Sequence, residues 1–215
     1  MELTAFAQWL NTAFAEFDHA ILSFYHTAAV KGDAFLRPLM NFFSLIGDNG
    51  YFCFALAAVL LCFPKTRRIG VGILFAIACG ALLTNVTIKN LVARPRPFQN
   101  GYAEWWVFVG APAEGEFSFP SGHVTAAMAC MTAVCLHLRK KWLFLTVPCG
   151  LYVLIMAAAR NYLMVHYPTD VIGGMLVGGI AAIVAYFLTR ALFSLFQAHK
   201  EAPFCRFMLE GGIKK

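Results

Sequence analysis

The chain has 215 residues, of which 60% are hydrophobic and only 13% charged. A water-soluble domain carries about 25% charged residues and up to about 50% apolar ones, so this composition excludes an ordinary soluble core and makes lipid the expected solvent. The formal net charge is +6, but Lys and Arg sit in short clusters between apolar runs, which excludes the continuous basic stripe of a nucleic-acid binder and fits basic cytoplasmic loops.

In chain order, residues 1–17 place Leu3, Phe6, Trp9, Leu10, Ala13, Phe14 and Phe17 near helical spacing. This predicts an amphipathic helix at a membrane interface. The same stretch lacks a basic n-region and a cleavage site, so it does not read as a signal peptide. Residues 18–49 hold two apolar runs, Ala20–Val30 and Ala34–Ile46, broken by Lys31, Asp33, Arg37 and Pro38. Each is too short to cross ~30 Å of hydrocarbon, leaving one weakly hydrophobic span or two interfacial helices as alternatives. Five clearer spans follow: Tyr51–Phe63, Ile69–Ile88, Val124–Leu138, Trp142–Ala159 and Val171 to about Phe196. The fold class expected is therefore all-α, an integral-membrane bundle of five to six transmembrane helices with N-terminal interfacial helices. Its parts are residues 1–49 (amphipathic or interfacial, with room for an extra span), 50–198 (transmembrane core) and 199–215 (basic cytoplasmic tail).

Loop charge gives an orientation. Lys65, Arg67 and Arg68 fall on the same side as Arg139, Lys140 and Lys141 and as the tail residues His199, Lys200, Arg206, Lys214 and Lys215. The positive-inside rule assigns that side to the cytoplasm. The mixed segment 93–120, with Glu104, Trp105, Trp106, Glu114 and Glu116, and the short stretch 160–170 then share the opposite face. The two Trp residues read as interfacial anchors. Seven cysteines without a CxxC pair read as small packing residues, giving neither a disulfide framework nor a thiolate metal site. Met128, Met131, Met156, Met164 and Met175 read as packing, and Gly173, Gly174, Gly178 and Gly179 as small residues that permit close helix approach. A homodimer through that glycine face is a secondary alternative.

Three polar stretches on the extracytoplasmic face are unlike anything packing requires: Lys89 through Arg94-Pro95-Arg96-Pro97, Pro120-Ser121-Gly122-His123, and Arg160 through His166 to Asp170. Lys89, Arg96 and Arg160 bring three cations to one membrane edge, where ionisable groups are costly unless paired or functional. Guanidinium forks suit a tetrahedral oxyanion. Ser121 and Gly122 open a helix, so a hydroxyl and free amides can join them. Pro168 begins the last span, and Asp170, four residues after His166, can accept a bond from one ring nitrogen and leave the other as a nucleophile. His123, beside the anion donors, can act as general acid. No carboxylate pair has metal-ligand spacing, so no metal or other cofactor is expected.

The pattern Lys-x6-Arg-Pro, Pro-Ser-Gly-His, Arg-x5-His-x3-Asp resembles the three-part signature of the type 2 phosphatidic acid phosphatase superfamily. That group includes bacterial lipid phosphate phosphatases, glucose-6-phosphatase and vanadium haloperoxidases. The resemblance implies His166 as nucleophile through a phosphohistidine, Asp170 as its orienting partner, His123 as general acid, and Lys89, Arg96, Ser121, Gly122 and Arg160 as phosphate ligands. The family usually has Ser immediately before the third-motif arginine, where this chain has Ala159. Arg94 is extra to the motif and reads as a contact to a second phosphate or lipid headgroup, or as an interfacial anchor. Short chains of this kind resemble undecaprenyl diphosphate phosphatases and phosphatidylglycerophosphate phosphatases. The expected function is hydrolysis of a lipid phosphate or diphosphate drawn from the cell membrane, undecaprenyl diphosphate first, then phosphatidylglycerophosphate or phosphatidic acid. A lipid-to-lipid phosphotransferase and a transporter are the rival readings.

Overall fold

The computed structural model describes residues 3–112, 115, 117–138 and 140–210. Glu114, Glu116, Arg139, Lys214, Lys215 and the side chain of Lys141 lie outside the described part. The helices are α1 (Ala5–Ala13), α2 (Ala15–Gly47), α3 (Tyr51–Cys62), α4 (Arg67–Ala81), α5 (Lys89–Val92), α6 (Ala103–Val109), α7 (Gly122–His137), α8 (Thr146–Tyr162), α9 (Pro168–Ala198) and α10 (Pro203–Leu209), and the described residues contain no strand. Four stretches are long and apolar enough to cross a membrane: Ala15–Cys62, Arg67–Gln99, Trp142–Tyr162 and Pro168–Ala198, with the shorter apolar Gly122–His137 beside them.

The bundle centres on α7, which packs against α9, α4 and α8, while α4 also packs against α9 and α3. Its core is built largely from small side chains, among them Ala57, Ala76, Ala127, Ala129, Ala181, Ala182 and Ala185. Bulky apolar residues such as Phe54, Leu74, Leu154, Leu176 and Phe187 face outward. That inversion is what lipid demands: tails are as apolar as leucine, so helices associate by close backbone approach. A Cβ at Gly174 would lie 2.8 Å from the Ser121 carbonyl oxygen, and one at Gly178 only 2.6 Å from the Thr125 carbonyl oxygen. The glycine face thus joins α9 to α7 within one chain.

Residues 15–47 form one helix, broken in direction where Gly32 leaves helical geometry (φ −138°, ψ 23°) and carrying Pro38 inside its second half. The two apolar runs of the sequence are therefore two arms of one bent helix. Gly tolerates the bend, and Pro38 removes one backbone donor from the ladder. The helix lies against α8 and α6. Trp105 stacks on His26 at a 4.6 Å ring separation, and Trp106 packs on Phe98. These half-buried indoles tie α6 to its neighbours.

Helix ends sort into two sets. The start of α3, α7 and α9 and the end of α2, α5 and α8 meet at one end of the bundle, around the three polar stretches. At the other end the basic α3–α4 connection meets α10: Arg67 donates to the Phe207 carbonyl and its guanidinium lies 3.7 Å over the Phe207 ring. The tail segment is thus partly folded back on the bundle.

Candidate active site

A cavity of about 400 Å³ opens among the gathered helix ends, lined by Asp48, Asn85, Lys89, Arg96, Gly122, His123 and His166, with Thr84 and Thr125 deeper in. Each arm of the site is delivered by a local backbone feature. Leu82–Ile88 is a π-helical stretch in which the Lys89 amide reaches back to Thr84, and the widened turn puts Thr84, Asn85 and Lys89 on the cavity wall. After α5, Ala93 adopts a left-handed conformation (φ 51°, ψ 39°) and turns the chain into the extended segment that carries Arg94 and Arg96.

Ser121 immediately precedes α7 and Gly122 is its first residue. The Ser121 hydroxyl is buried and makes no hydrogen bond to the described protein atoms. It therefore does not cap the helix and stays available beside the first amides of α7, an arrangement suited to an oxyanion. Asn85 Oδ1 and Lys89 Nζ approach the bare Cα of Gly122, 3.5 and 3.9 Å from where a Cβ would stand.

His166 is almost fully buried, after a turn in which Met164 is left-handed (φ 56°). Arg96 Nη1 lies 3.3 Å from His166 Nε2 and donates to the Val165 carbonyl at 2.8 Å. A guanidinium N–H can only donate, so Nε2 accepts and the ring proton belongs on Nδ1. Nδ1 stands 3.7 Å from Asp170 Oδ2, too long for the direct bond expected from sequence. Ser118 fills the gap: its hydroxyl donates to Asp170 Oδ2 and lies 3.5 Å from Nδ1. The arrangement reads Nδ1–H to Ser118 to Asp170, with the Nε2 lone pair held toward the cations.

Asp170 caps its own helix by accepting from the Tyr167 amide at 2.8 Å. Burial pushes the Tyr167 hydroxyl up to about 12, so it stays neutral and accepts from Asn100 at 3.1 Å.

Across the cavity, His123 Nε2 lies 2.6 Å from Asp48 Oδ1, in the α2–α3 turn, and 3.5 Å from Arg160 Nη1. Arg160 also donates to Ser44 at 2.6 Å. Ala159, where a Ser was expected from the resemblance, is fully buried. The structure therefore brings Lys89, Arg96, Gly122, His123 and His166 to one cavity, with Ser121, Arg160 and Asp170 directly behind them. Ser118 and Asp48 were not singled out in the sequence. Ser118 stands three residues before Ser121, and Asp48 lies in a Gly-Asp-Asn-Gly turn, a signal of loop chemistry only.

Arg94 is a correction. It is fully buried, does not line the cavity, and is held by Asp18 Oδ2 at 2.8 Å and Asp170 Oδ1 at 2.6 Å. A guanidinium already engaged by two carboxylates contacts neither a second phosphate nor a headgroup, and it is no interfacial anchor. All seven cysteines are free thiols. Among the described residues no group of three or more His, Cys, Asp or Glu is placed to hold a metal ion.

These features make the molecule a multi-pass membrane protein with two histidines facing a cation-lined cavity. The chain belongs to the PAP2 superfamily, whose model matches residues 69–194. It is 33% identical over 147 residues to an undecaprenyl-diphosphatase of Sulfolobus acidocaldarius, covering 67% of this chain and 66% of that one. It is 26% identical to a lipid A 4'-phosphatase of Bacteroides thetaiotaomicron, covering 68% of each chain. The crystal structure of the first transmembrane PAP2 type phosphatidylglycerolphosphate phosphatase from Bacillus subtilis superposes with a TM-score of 0.64 at 25% identity, covering 87% of this chain and 90% of that one. The chain spans about two thirds of the length of the curated relatives it matches. By membership it is a phosphate-ester hydrolase of the lipid phosphatase family.

Proposed function

We propose that this protein hydrolyses a lipid phosphate or diphosphate at the cavity bounded by His166 and His123. The observation that carries the reading is the pairing of an acceptor Nε2 on His166 with a second, carboxylate-held histidine across a cation-lined cavity. His166 Nε2 attacks phosphorus and forms an N–P bond as the ester or anhydride P–O bond breaks. His123 gives its proton to the departing oxygen. Water, deprotonated by His123, then attacks the phosphohistidine, releasing inorganic phosphate and returning Nε2 to its starting state. Lys89, Arg96 and Arg160, with Ser121 and the Gly122 amide, hold the equatorial oxygens whose charge rises in the transition state. No step requires a metal ion.

Undecaprenyl diphosphate is the first substrate of this reading, supported by the 33% identity to the Sulfolobus undecaprenyl-diphosphatase. Phosphatidylglycerophosphate is the second, supported by the likeness to the Bacillus subtilis structure. The basic helix connections at the end remote from the cavity support an active site on the extracytoplasmic face of the plasma membrane.

The test is phosphate release from a panel of both lipids and phosphatidic acid in detergent with EDTA. His166→Ala should lower the rate at least 1000-fold and His123→Ala about 100-fold or more. Retained turnover in His166→Ala, or activity that EDTA removes and a divalent ion restores, overturns the mechanism. Labelled phosphate passing to a second lipid, with little release to water, indicates the phosphotransferase instead.

A further inference from the structure

The Arg94 guanidinium sits in a fully protein-made cage. Its Nε donates to Asn11 of α1 at 2.8 Å, Nη2 to Asp18 of α2 at 2.8 Å, and Nη1 to Thr169 and Asp170 of α9 at 2.7 and 2.6 Å. Its face lies 3.9 Å over the Tyr167 ring. Asp18 is answered in turn by the Thr169 amide at 2.9 Å and the Thr169 hydroxyl at 2.8 Å. Arg94, Asp18 and Asp170 are each no more than 2% exposed. Burying three ionised groups is costly unless geometry is tight and every lone pair is met. Here the planar fork makes four hydrogen bonds, to Asn11, Asp18, Thr169 and Asp170, one more than the three donors of a Lys ammonium can supply.

We infer that Arg94 is a positioning residue, which links Asp18 of the N-terminal helix to Asp170 and so sets the orientation and charge of the carboxylate behind His166. The inference rests on the proposed roles of His166 and Asp170. Asp170 Oδ1 is taken by Arg94, which leaves Oδ2 turned toward Ser118 and His166 Nδ1. Two carboxylates and one guanidinium leave one net negative charge, the complement of the positive charge that His166 acquires when it is protonated or phosphorylated. Arg94 alone would quench Asp170; Asp18 shares it and restores the carboxylate's strength. Asn11 and Asp18 lie outside residues 69–194 while Arg94, Thr169 and Asp170 lie inside them, so the device ties the N-terminal helices to the matched family segment.

Among the described residues, the charged and titratable groups around His166 are Asp170 from α9, Arg96 from the segment after α5, and Lys89, His123 and Asp48 across the cavity, with Arg94 and Asp18 behind Asp170. Only the last two touch neither His166 nor the cavity. The test measures kcat and KM against pH for the full chain in detergent, with the lipid that wild type turns over fastest. Asp18→Asn leaves Arg94 less shared, so the acidic limb of kcat/KM should move to lower pH. Arg94→Gln removes a cation, and that limb should move to higher pH. Each shift should be about one unit, the scale of a single elementary charge lost from buried surroundings. KM should stay within about twofold. Arg94→Lys keeps the charge but not the fork, so it should hold the limb in place while lowering kcat; with Asp18→Asn it gives the test even where Arg94→Gln fails to accumulate in the membrane. A limb that does not move in Asp18→Asn, or a KM that rises more than kcat falls in Arg94→Lys, overturns the inference. Failure of the proposed function is separate: it appears as wild type without phosphate release, or His166→Ala with it.

Discussion

Ser118 joins His166 to Asp170 although nothing in its sequence position announced it. The ring nitrogen and the carboxylate were expected to bond directly because they are four residues apart, a helical turn. His166, however, lies in the turn before α9, and only Asp170 is inside the helix. Beside the pair, at their 3.7 Å separation, lies one hydroxyl that contacts both, from the segment preceding Pro120. Replacing Ser118 with Ala removes a hydrogen bond to a buried carboxylate, worth about 1.5–3 kcal/mol. The expected outcome is a kcat about tenfold to a hundredfold lower with KM nearly unchanged, read by steady-state phosphate release. A proportionate rise in KM would instead make Ser118 a substrate contact. The residues of the three polar stretches were legible because each is a rare type at a helix end beside an apolar span. Asp48, Asp18 and Ser118 were not, because a short acid or hydroxyl in a turn or amphipathic helix is ordinary. Arg94 was visible but misassigned: a sequence displays a cation, and only the fold supplies the two carboxylates that occupy it.

At the scale of elements, the apolar helices after residue 50 were readable from hydropathy, but not their division into spans: α3 belongs to one membrane-length stretch with α2, and α7 is shorter than the four such stretches. Irregular backbone was not readable. The π-helical turn before Lys89 and the left-handed residues Asn49, Ala93 and Met164 each fall within four residues of a site side chain. Conformations of that kind cost about 1–3 kcal/mol each and persist where surrounding packing fixes them. Only Asn49, in its Gly-Asp-Asn-Gly turn, carries a composition signal; Ala93 and Met164 are not residues expected at positive φ. The glycines of α9 were legible as a class but not individually. Gly178→Ala would place a methyl against the α7 backbone, 2.6 Å from the Thr125 carbonyl oxygen, whereas a Cβ at Gly179 meets only the tip of Met128 at 3.8 Å. Thermal unfolding in detergent should show Gly178→Ala destabilised by about 1–3 kcal/mol and Gly179→Ala little changed or slightly stabilised. Equal effects would mean that α9 does not meet α7 through this face.

At the scale of the whole molecule, the division of charge sets the proposed orientation. A membrane-impermeant maleimide applied to intact cells should label Glu104→Cys on α6, in a background where the native cysteines are Ser, and should leave a lone Cys205 on α10 unlabelled until the membrane is permeabilised. The reverse pattern would turn the molecule over. Residues 1–49 read in sequence as interfacial helices or one weak span beside the bundle, since nothing in an amphipathic pattern reports what its few polar residues will meet. In the structure it reaches the centre: Asp18 lies 76 residues before Arg94 and 151 before Thr169, yet bonds to both. Synthesis runs in that order. Asp18 emerges long before any of its partners exists, and an ionised acid has no stable place in hydrocarbon. The contacts of α2 with the start of α9 can therefore form only after α9 has been made. On that schedule the surroundings of His166 are completed only once the start of α9, which carries Asp170, is in place.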